Sequence, residues 1–218
     1  MIRPTDYPGV HTDGKTLYTE NLVPGVSVYG ERLVREGTRE FRVWSPRRSK
    51  LAALLFKGFD QYPLVEDSRV LYLGSATGTT ASHVSDIVAQ GTLYCVEIAP
   101  KAFQKLLLLS EQRRNLVAIL ADARHPDSYS SLVGEVDVLY QDVAQRDQAR
   151  IFMNNVGMAG PSAIGVLMLK SRSVDTAAPP ASVFRQERRV LEDGGMRVIS
   201  VVPLGPYRGD HAAFILRP

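Results

Sequence analysis

The groups in this chain whose types and spacing could do chemistry are Val70-Leu-Tyr-Leu-Gly-Ser-Ala-Thr-Gly-Thr-Thr80 and three later carboxylates, Glu97, Asp122 and Asp142. An apolar run that stops at two glycines and then turns helical makes a ligand cradle. Glycine lets a ligand approach the backbone, and a helix start offers free N–H groups. Ligands of wound parallel sheets sit beyond the carboxyl ends of the strands. Four consecutive candidate strand ends carry such groups: Gly74 and Gly78, then Glu97, Asp122 and Asp142. A carboxylate at the second strand end, Glu97, suits ribose hydroxyls, so a nucleoside-bearing cofactor is expected.

The glycine pattern narrows the choice. A dinucleotide fingerprint would fall on Gly74, Ala76 and Thr79, of which only the first is glycine. Gly78-Thr-Thr80 lacks the lysine of a phosphate-binding P-loop. Gly-x-x-x-Gly followed by Glu97 and Asp122 fits S-adenosyl-L-methionine (SAM). SAM has no pyrophosphate to anchor, so the helix start can face its carboxylate, and Asp122 can take the adenine amine. His11, His83, His125 and Cys95 show no ligand spacing, and no metal is assigned. Cys95 is the only cysteine, lies in an apolar strand, and reads as core.

The elements that must position these groups fall into two zones. Val10 to Tyr18, Val26 to Tyr29 and Glu40 to Trp44 read as short strands separated by turn residues, a small antiparallel β domain over 1–45. Ser45-Pro46 predicts a helix start, with the helix running from Arg47 to Phe56. Beyond it, over 46–218, strands alternate with helices. The predicted strands are Arg69–Leu73, Thr92–Glu97, Leu116–Ala121, Val136–Gln141, Ala163–Leu169, Met196–Val202 and Ala212–Leu216. The predicted helices are Thr79–Ala89, Lys101–Arg114, Gln145–Asn155 and Ala181–Leu191. Alternation argues for an α/β fold, a Rossmann-like, mostly parallel sheet. Pro203 to Asp210 leaves no room for a helical crossover, so the last two strands form an antiparallel hairpin at one edge.

The 218 residues suffice for one substantial domain with a small addition, and 44% hydrophobic content suits a globular chain. The net charge of +3 excludes a polycation. Between Glu31 and Lys50, however, seven basic residues face three acidic ones, an excess suited to phosphate contact. With no apolar signal region and no run of membrane-spanning length, an intracellular soluble protein is expected.

Several segments resemble the fibrillarin family of RNA 2′-O-methyltransferases in its short archaeal form, and the likeness spans nearly the whole chain. They are Pro24-Gly-Val-Ser-Val-Tyr-Gly30, Arg47-Arg-Ser-Lys-Leu-Ala-Ala53, Gly78-Thr-Thr-Ala-Ser-His-Val-Ser-Asp86, Val96-Glu-Ile-Ala-Pro100, Asp137-Val-Leu-Tyr-Gln-Asp-Val-Ala-Gln145 and Leu169-Lys-Ser-Arg-Ser-Val-Asp175. Asp-Val-Ala-Gln and Lys-x-Arg-Ser-x-Asp are the most specific. Ala81 stands where a proline is common, and Gln141 where an acidic residue is common. The resemblance implies SAM contacts at Thr79, Thr80, Glu97, Asp122, Ala123, Asp142 and Gln145. It also implies a catalytic set of Lys50, Asp142, Lys170 and His211. It further implies rRNA and tRNA targets chosen by a box C/D guide RNA, a Nop-type scaffold protein, a kink-turn-binding protein on the RNA, and a cytoplasmic location if the chain is archaeal.

Methyl transfer to a ribose 2′-hydroxyl is an in-line displacement in which the protein must position and deprotonate. Lys170, after a buried run, is the candidate base, and it can take a proton only while neutral. Lys50 would favour the neutral form by repulsion, and Asp142 would orient Lys170 while favouring the charged form. His211 would tether this network or the RNA. The first 45 residues and the apolar helix Leu51–Phe56 are candidate docking surfaces for the scaffold. Two other readings are a stand-alone methyltransferase for a small molecule or protein, and a scaffold that keeps the fold without catalysis.

Overall fold

A computed structural model describes residues 1–218. Two sheets organise the chain. The first is antiparallel and built from β1 (Arg3–Pro4), β2 (Val10–Thr12), β3 (Leu17–Glu20), β4 (Leu33–Glu36) and β5 (Arg39–Trp44), in the order β1-β2-β3-β5-β4. Helix α1 (Lys50–Lys57) leads from it into the second sheet. There the chain runs through β6 (Arg69–Leu73), α2 (Thr79–Ile87), β7 (Thr92–Glu97), α3 (Pro100–Gln112), β8 (Leu116–Leu120), α4 (Ser130–Val133), β9 (Val136–Gln141), α5 (Gln148–Asn155), β10 (Ala159–Lys170), α6 (Ser171–Val174), α7 (Pro180–Asp193), β11 (Arg197–Pro203) and β12 (His211–Arg217). The spatial order is β11-β12-β10-β9-β6-β7-β8. Strands β10, β9, β6, β7 and β8 are parallel, and the β11–β12 hairpin closes the sheet antiparallel, as the short Pro203–Asp210 connection predicts.

The order explains where a ligand can sit. From β6 the chain builds outward through β7 to β8, then crosses back to place β9 on the other side of β6. The strand order therefore reverses between β6 and β9, which opens a crevice at their carboxyl ends. Gly74 follows β6 and Asp142 follows β9. Asp142 N–H donates to Leu73 C=O (2.9 Å), so both residues sit at that switch point.

The N-terminal region departs from the sequence prediction. Val26–Tyr29 is not a strand. It is a loop gathered around the Glu31 carboxylate, which accepts the N–H groups of Val28 (3.0 Å) and Tyr29 (2.8 Å). The strand beside β5 is instead β4. The run from Val10 to Tyr18 is split by a turn in which Asp13 accepts from Lys15 and Thr16 N–H, giving β2 and β3. Ser45-Pro46 forms a turn rather than a helix start, with Ser45 C=O accepting from Arg48 and Ser49 N–H (3.0 Å each). The true N-cap is Ser49, whose Oγ accepts from Ala52 N–H (3.3 Å), so Lys50 opens the helix. Leu51 through Leu55 are buried against the sheet, so α1 is core and not a docking face.

Half of the arginines in the basic stretch between Glu31 and Lys50 are spent on ion pairs within the fold. Arg35 pairs with Glu40, and Arg39 with Glu20. Arg42 is wholly buried and bonds Glu31 (2.7 Å), Asp86 (2.8 Å) and Ser82 Oγ (2.8 Å). Asp86, in α2, also binds Arg113 (2.6 Å). This network fastens the small sheet to α2. Val10, Leu17 and Trp44 join the same apolar core as Leu51, Leu54, Val84 and Leu106. A second core on the opposite face of the large sheet packs Phe152, Val183 and Leu191 against Leu139, Leu167 and Phe214.

His83 lies inside this junction, stacked on Trp44 with ring centroids 5.0 Å apart. Its Nδ1 meets Thr19 Oγ1 (2.8 Å) and its Nε2 meets Tyr29 OH (2.7 Å). Burial, then the nearby Arg42 and Arg113 charges, push its pKa well below 6.5. The unfolded chain therefore binds the proton that the folded chain refuses, and stability falls as pH drops below about 6.5. The slope is about 1.4 kcal/mol per pH unit for this group. Urea denaturation at pH 7.5 and 5.5 is expected to show that loss, and His83→Gln is expected to flatten it.

Candidate active site

Each wall of the crevice comes from the end of a strand. A cleft of about 250 Å³ is lined by Gly74 and Ala76 after β6, Val96, Glu97 and Ile98 at the end of β7, Ala121 to Ala123 after β8, Asp142 to Gln145 after β9, and Ile151 of α5. Gly74 holds φ at +79°, and a Cβ there would meet Asp142 C=O and Val143 Cγ1 at 2.8 Å. Glycine is required both by the turn and by the close approach.

Glu97 is buried, and each carboxylate oxygen accepts one N–H, from Ala76 (2.8 Å) and from Ala99 (2.8 Å). Those bonds fix the carboxylate while its remaining lone pairs stay available for hydroxyls. The bond to Ala76 also steadies a non-glycine residue at φ +51°. Asp122 is gripped by Arg124, whose Nη2 lies 2.6 Å away, and that hydrogen bond holds its pKa below the usual carboxylate range. Ile98 lines the cleft yet is half exposed. An apolar side chain beside a fixed carboxylate suits a flat ring carrying vicinal hydroxyls.

The lysines and the histidine arrive from the other side of the switch point. Lys170 ends β10 and His211 begins β12, and the two are register partners. Ser171 N–H donates to Asp210 C=O (2.9 Å). Lys170 and His211 are thus a non-hydrogen-bonded pair, the kind whose side chains approach most closely on one face. Lys50, at the start of α1, contacts Asp142 through its ammonium. The expectation that Asp142 orients Lys170 is therefore corrected. The carboxylate is taken by Lys50, whose place at the first turn of α1 points it there, while Lys170 forms no ion pair.

His211 is buried, which lowers its pKa below 6.5. Lys50 reinforces the shift, and Asp210 and Asp142 oppose it. The net shift favours the neutral ring. Nδ1–H donates to Asp210 Oδ1 (2.7 Å), which leaves the Nε2 lone pair free to accept.

The remaining sequence-predicted residues fall outside the cleft. Gly78 caps α2 at φ +88°, and a Cβ there would lie 2.4 Å from Leu109 Cδ2 of α3, so its lack of a side chain serves helix packing. Thr80 is buried and donates to Ser49 Oγ (3.0 Å). Thr79 lines a neighbouring surface groove with Tyr29, Arg48 and Lys105.

The model of the family described as "Fibrillarin" matches residues 5–217. The chain belongs to the fibrillarin family. A fibrillarin-like rRNA/tRNA 2′-O-methyltransferase of Methanothermobacter thermautotrophicus is 46% identical over 210 residues, covering 96% of this chain and 94% of the relative. Aeropyrum pernix fibrillarin, crystallised with natively bound S-adenosyl-L-methionine, superposes with a TM-score of 0.91 at 43% identity, covering 99% and 97% of the two chains. The fibrillarin subunit of a fibrillarin/Nop5p complex superposes with a TM-score of 0.88 at 40% identity over 97% and 98%. The sequence reading of this fibrillarin did not single out Ala76, Ile98, Val143 or Ile151. Apolar residues in a cleft wall look like core residues in one dimension, and only the Gly-Ser-Ala turn hinted at Ala76.

Proposed function

We propose that this chain catalyses SAM-dependent 2′-O-methylation of ribose in rRNA and tRNA. The observation that carries this reading is His211 paired across the sheet with Lys170, which forms no ion pair, beside Lys50 and Asp142 at the rim of a cleft in which Glu97 is fixed to receive hydroxyls. The name and near-complete alignment of the Methanothermobacter relative support it. The cleft fits the cofactor. Glu97 offers fixed acceptors to ribose hydroxyls, Asp122 an acceptor to the adenine amine, Ile98 an apolar face, and Gly74 the tight turn that packs β6 against Asp142 and Val143 in the cleft wall.

Bound SAM supplies an electrophilic methyl group on a sulfonium. This chain's own residues bind and orient. Asp142 stands at the border between cleft and basic groups, and its pairing with Lys50 holds a positive charge at the rim where RNA arrives. Lys170 accepts the proton of the 2′-hydroxyl. Asp142 is paired with Lys50, and no carboxylate lies within 4.0 Å of the Lys170 ammonium. His211 Nε2 accepts a hydrogen bond that orients the hydroxyl or the lysine. Holding these groups in line supplies most of the catalysis.

RNA contact falls to cations left unpaired around the rim: Arg47 and Arg48 before α1, Arg172 in α6, and Arg208, which donates to Arg47 C=O (2.6 Å). Aromatic residues make up 8% of the chain, which gives little for base stacking, and a box C/D guide RNA selects the target by pairing in this reading. A Nop-type scaffold and a kink-turn-binding protein on the guide complete the particle. The fibrillarin/Nop5p structure of a relative supports the scaffold. Residues 1–45 form the small β domain and 46–218 the methyltransferase domain in this reading. No helix is long and apolar enough to cross a membrane, and the proposed location is the cytoplasm of an archaeon.

The test is reconstitution with scaffold protein and guide RNA, measuring 2′-O-methylation at the guided nucleotide. Methylation of a small molecule at equal rate without RNA counts against the reading. Gly74→Ala checks the cofactor half separately. Its Cβ would press Asp142 and Val143 apart at a φ that alanine disfavours. Calorimetry is expected to show SAM affinity lower by tenfold or more, about 1.4 kcal/mol.

A further inference from the structure

We infer that Gln148 is a positioning residue for Lys170, its side-chain amide supplying the rung of sheet that holds this lysine's backbone at the site. The inference rests on the reading of Lys170 as the base. Strand β9 pairs with β10 only as far as Gln141 opposite Leu167. Lys170 lies three residues further on, with β12 on one side and no strand on the other. Its N–H and C=O point to the strandless side, where an unpaired buried group costs stability.

Gln148 fills that gap. It is wholly buried at the start of α5. Its Oε1 accepts Lys170 N–H (2.9 Å), and its Nε2 donates to Lys170 C=O (3.0 Å). A primary amide carries the same donor–acceptor pair as a peptide, so the side chain stands in for the missing strand. The same Nε2 donates to Gln145 C=O (2.9 Å) in the cleft wall. The backbone C=O of Gln148 accepts from Gln141 Nε2 (2.7 Å) at the end of β9. Helix α5 is held in turn from α7, where buried Glu187 accepts Ala149 N–H (3.1 Å). Gln148 therefore ties the lysine to the cofactor wall through its side-chain amide and to the end of β9 through its backbone C=O. Without it the last rung of β10 loosens, and displacement of a reacting group by about 1 Å costs about 10²-fold in rate.

The test uses steady-state methyl transfer in the particle reconstituted with scaffold and guide RNA, with SAM varied from below to well above KM. Gln148→Met keeps the length and removes both hydrogen-bonding groups. Gln148→Glu keeps the acceptor for Lys170 N–H but sets an oxygen against Lys170 C=O. Each is expected to lower kcat by about 10–100-fold with KM for SAM changed less than about threefold. In a Lys170→Ala background the further loss is expected to be under about threefold, because the group being positioned is gone. If Gln148→Met does not fold, Gln148→Glu carries the same comparison. Equal loss in both backgrounds, a loss confined to KM for SAM, or an unchanged kcat each overturns the inference. Full activity in Lys170→Ala alone overturns the reading of Lys170, whereas an inactive Lys170→Ala beside a fully active Gln148→Met overturns only the role of Gln148.

Discussion

Replacing Lys170 with alanine is expected to lower the rate of guided methyl transfer by about 10²–10⁴-fold, the range for removing a positioned general base. The lysine lines no part of the cofactor cleft, so SAM affinity by calorimetry is expected to stay within about twofold of the parent. Lys170→Arg separates two roles. Arginine keeps the positive charge but does not give up its proton at accessible pH. A proton acceptor at this position makes Lys170→Arg as slow as Lys170→Ala. A purely electrostatic role, stabilising charge on the reacting oxygen, makes Lys170→Arg substantially faster than Lys170→Ala, and that result would remove Lys170 as base.

Replacing Asp86 with alanine is expected to cost about 3–5 kcal/mol of stability, among the largest single losses available in this fold. Its carboxylate is wholly buried and accepts from Arg42 (2.8 Å), Arg113 (2.6 Å), Thr19 Oγ1 (2.7 Å) and Leu22 N–H (3.1 Å). Alanine leaves two buried guanidinium groups sharing only Glu31 as a counter-charge. An unpaired buried charge is penalised far more than the pair stabilises. Asn in place of Asp86 keeps the shape and part of the hydrogen bonding, and is expected to lie between alanine and the parent. Urea denaturation at pH 7.5 checks both. A loss under about 1 kcal/mol, the range of an exposed pair, would show that the junction of small sheet and α2 is held by apolar packing alone.

Both predictions concern groups that the linear chain displays but does not connect. The seven basic residues between Glu31 and Lys50 read as a phosphate-binding excess. Folding pairs four of them with Glu20, Glu40, Glu31, Asp86 and Asp142, three of which lie outside that window. Charge counted along a segment is blind to partners brought in from elsewhere. Helix α1 shows the same limit. Its apolar run is compatible with a docking face or with core, and only the packing of Leu51 and Leu54 beneath the large sheet decides for core. Thr80 is a SAM contact only by what the family resemblance implies, and the fold sets its hydroxyl on Ser49 Oγ.

The sequence alone determined the wound sheet, its strand positions within a residue or two over most of 69–217, the closing hairpin, and the carboxylates at the strand ends. Apolar periodicity and turn residues act locally, and strand and helix lengths follow from them. The three-dimensional structure decided which charges pair, which side of each strand faces the crevice, and which amide holds the end of β10. Those outcomes depend on contacts between residues tens of positions apart: Lys50 with Asp142, Lys170 with His211, Gln148 with Lys170. A hydrogen bond or ion pair needs its partner within about 3 Å, and only the packed fold sets distances on that scale.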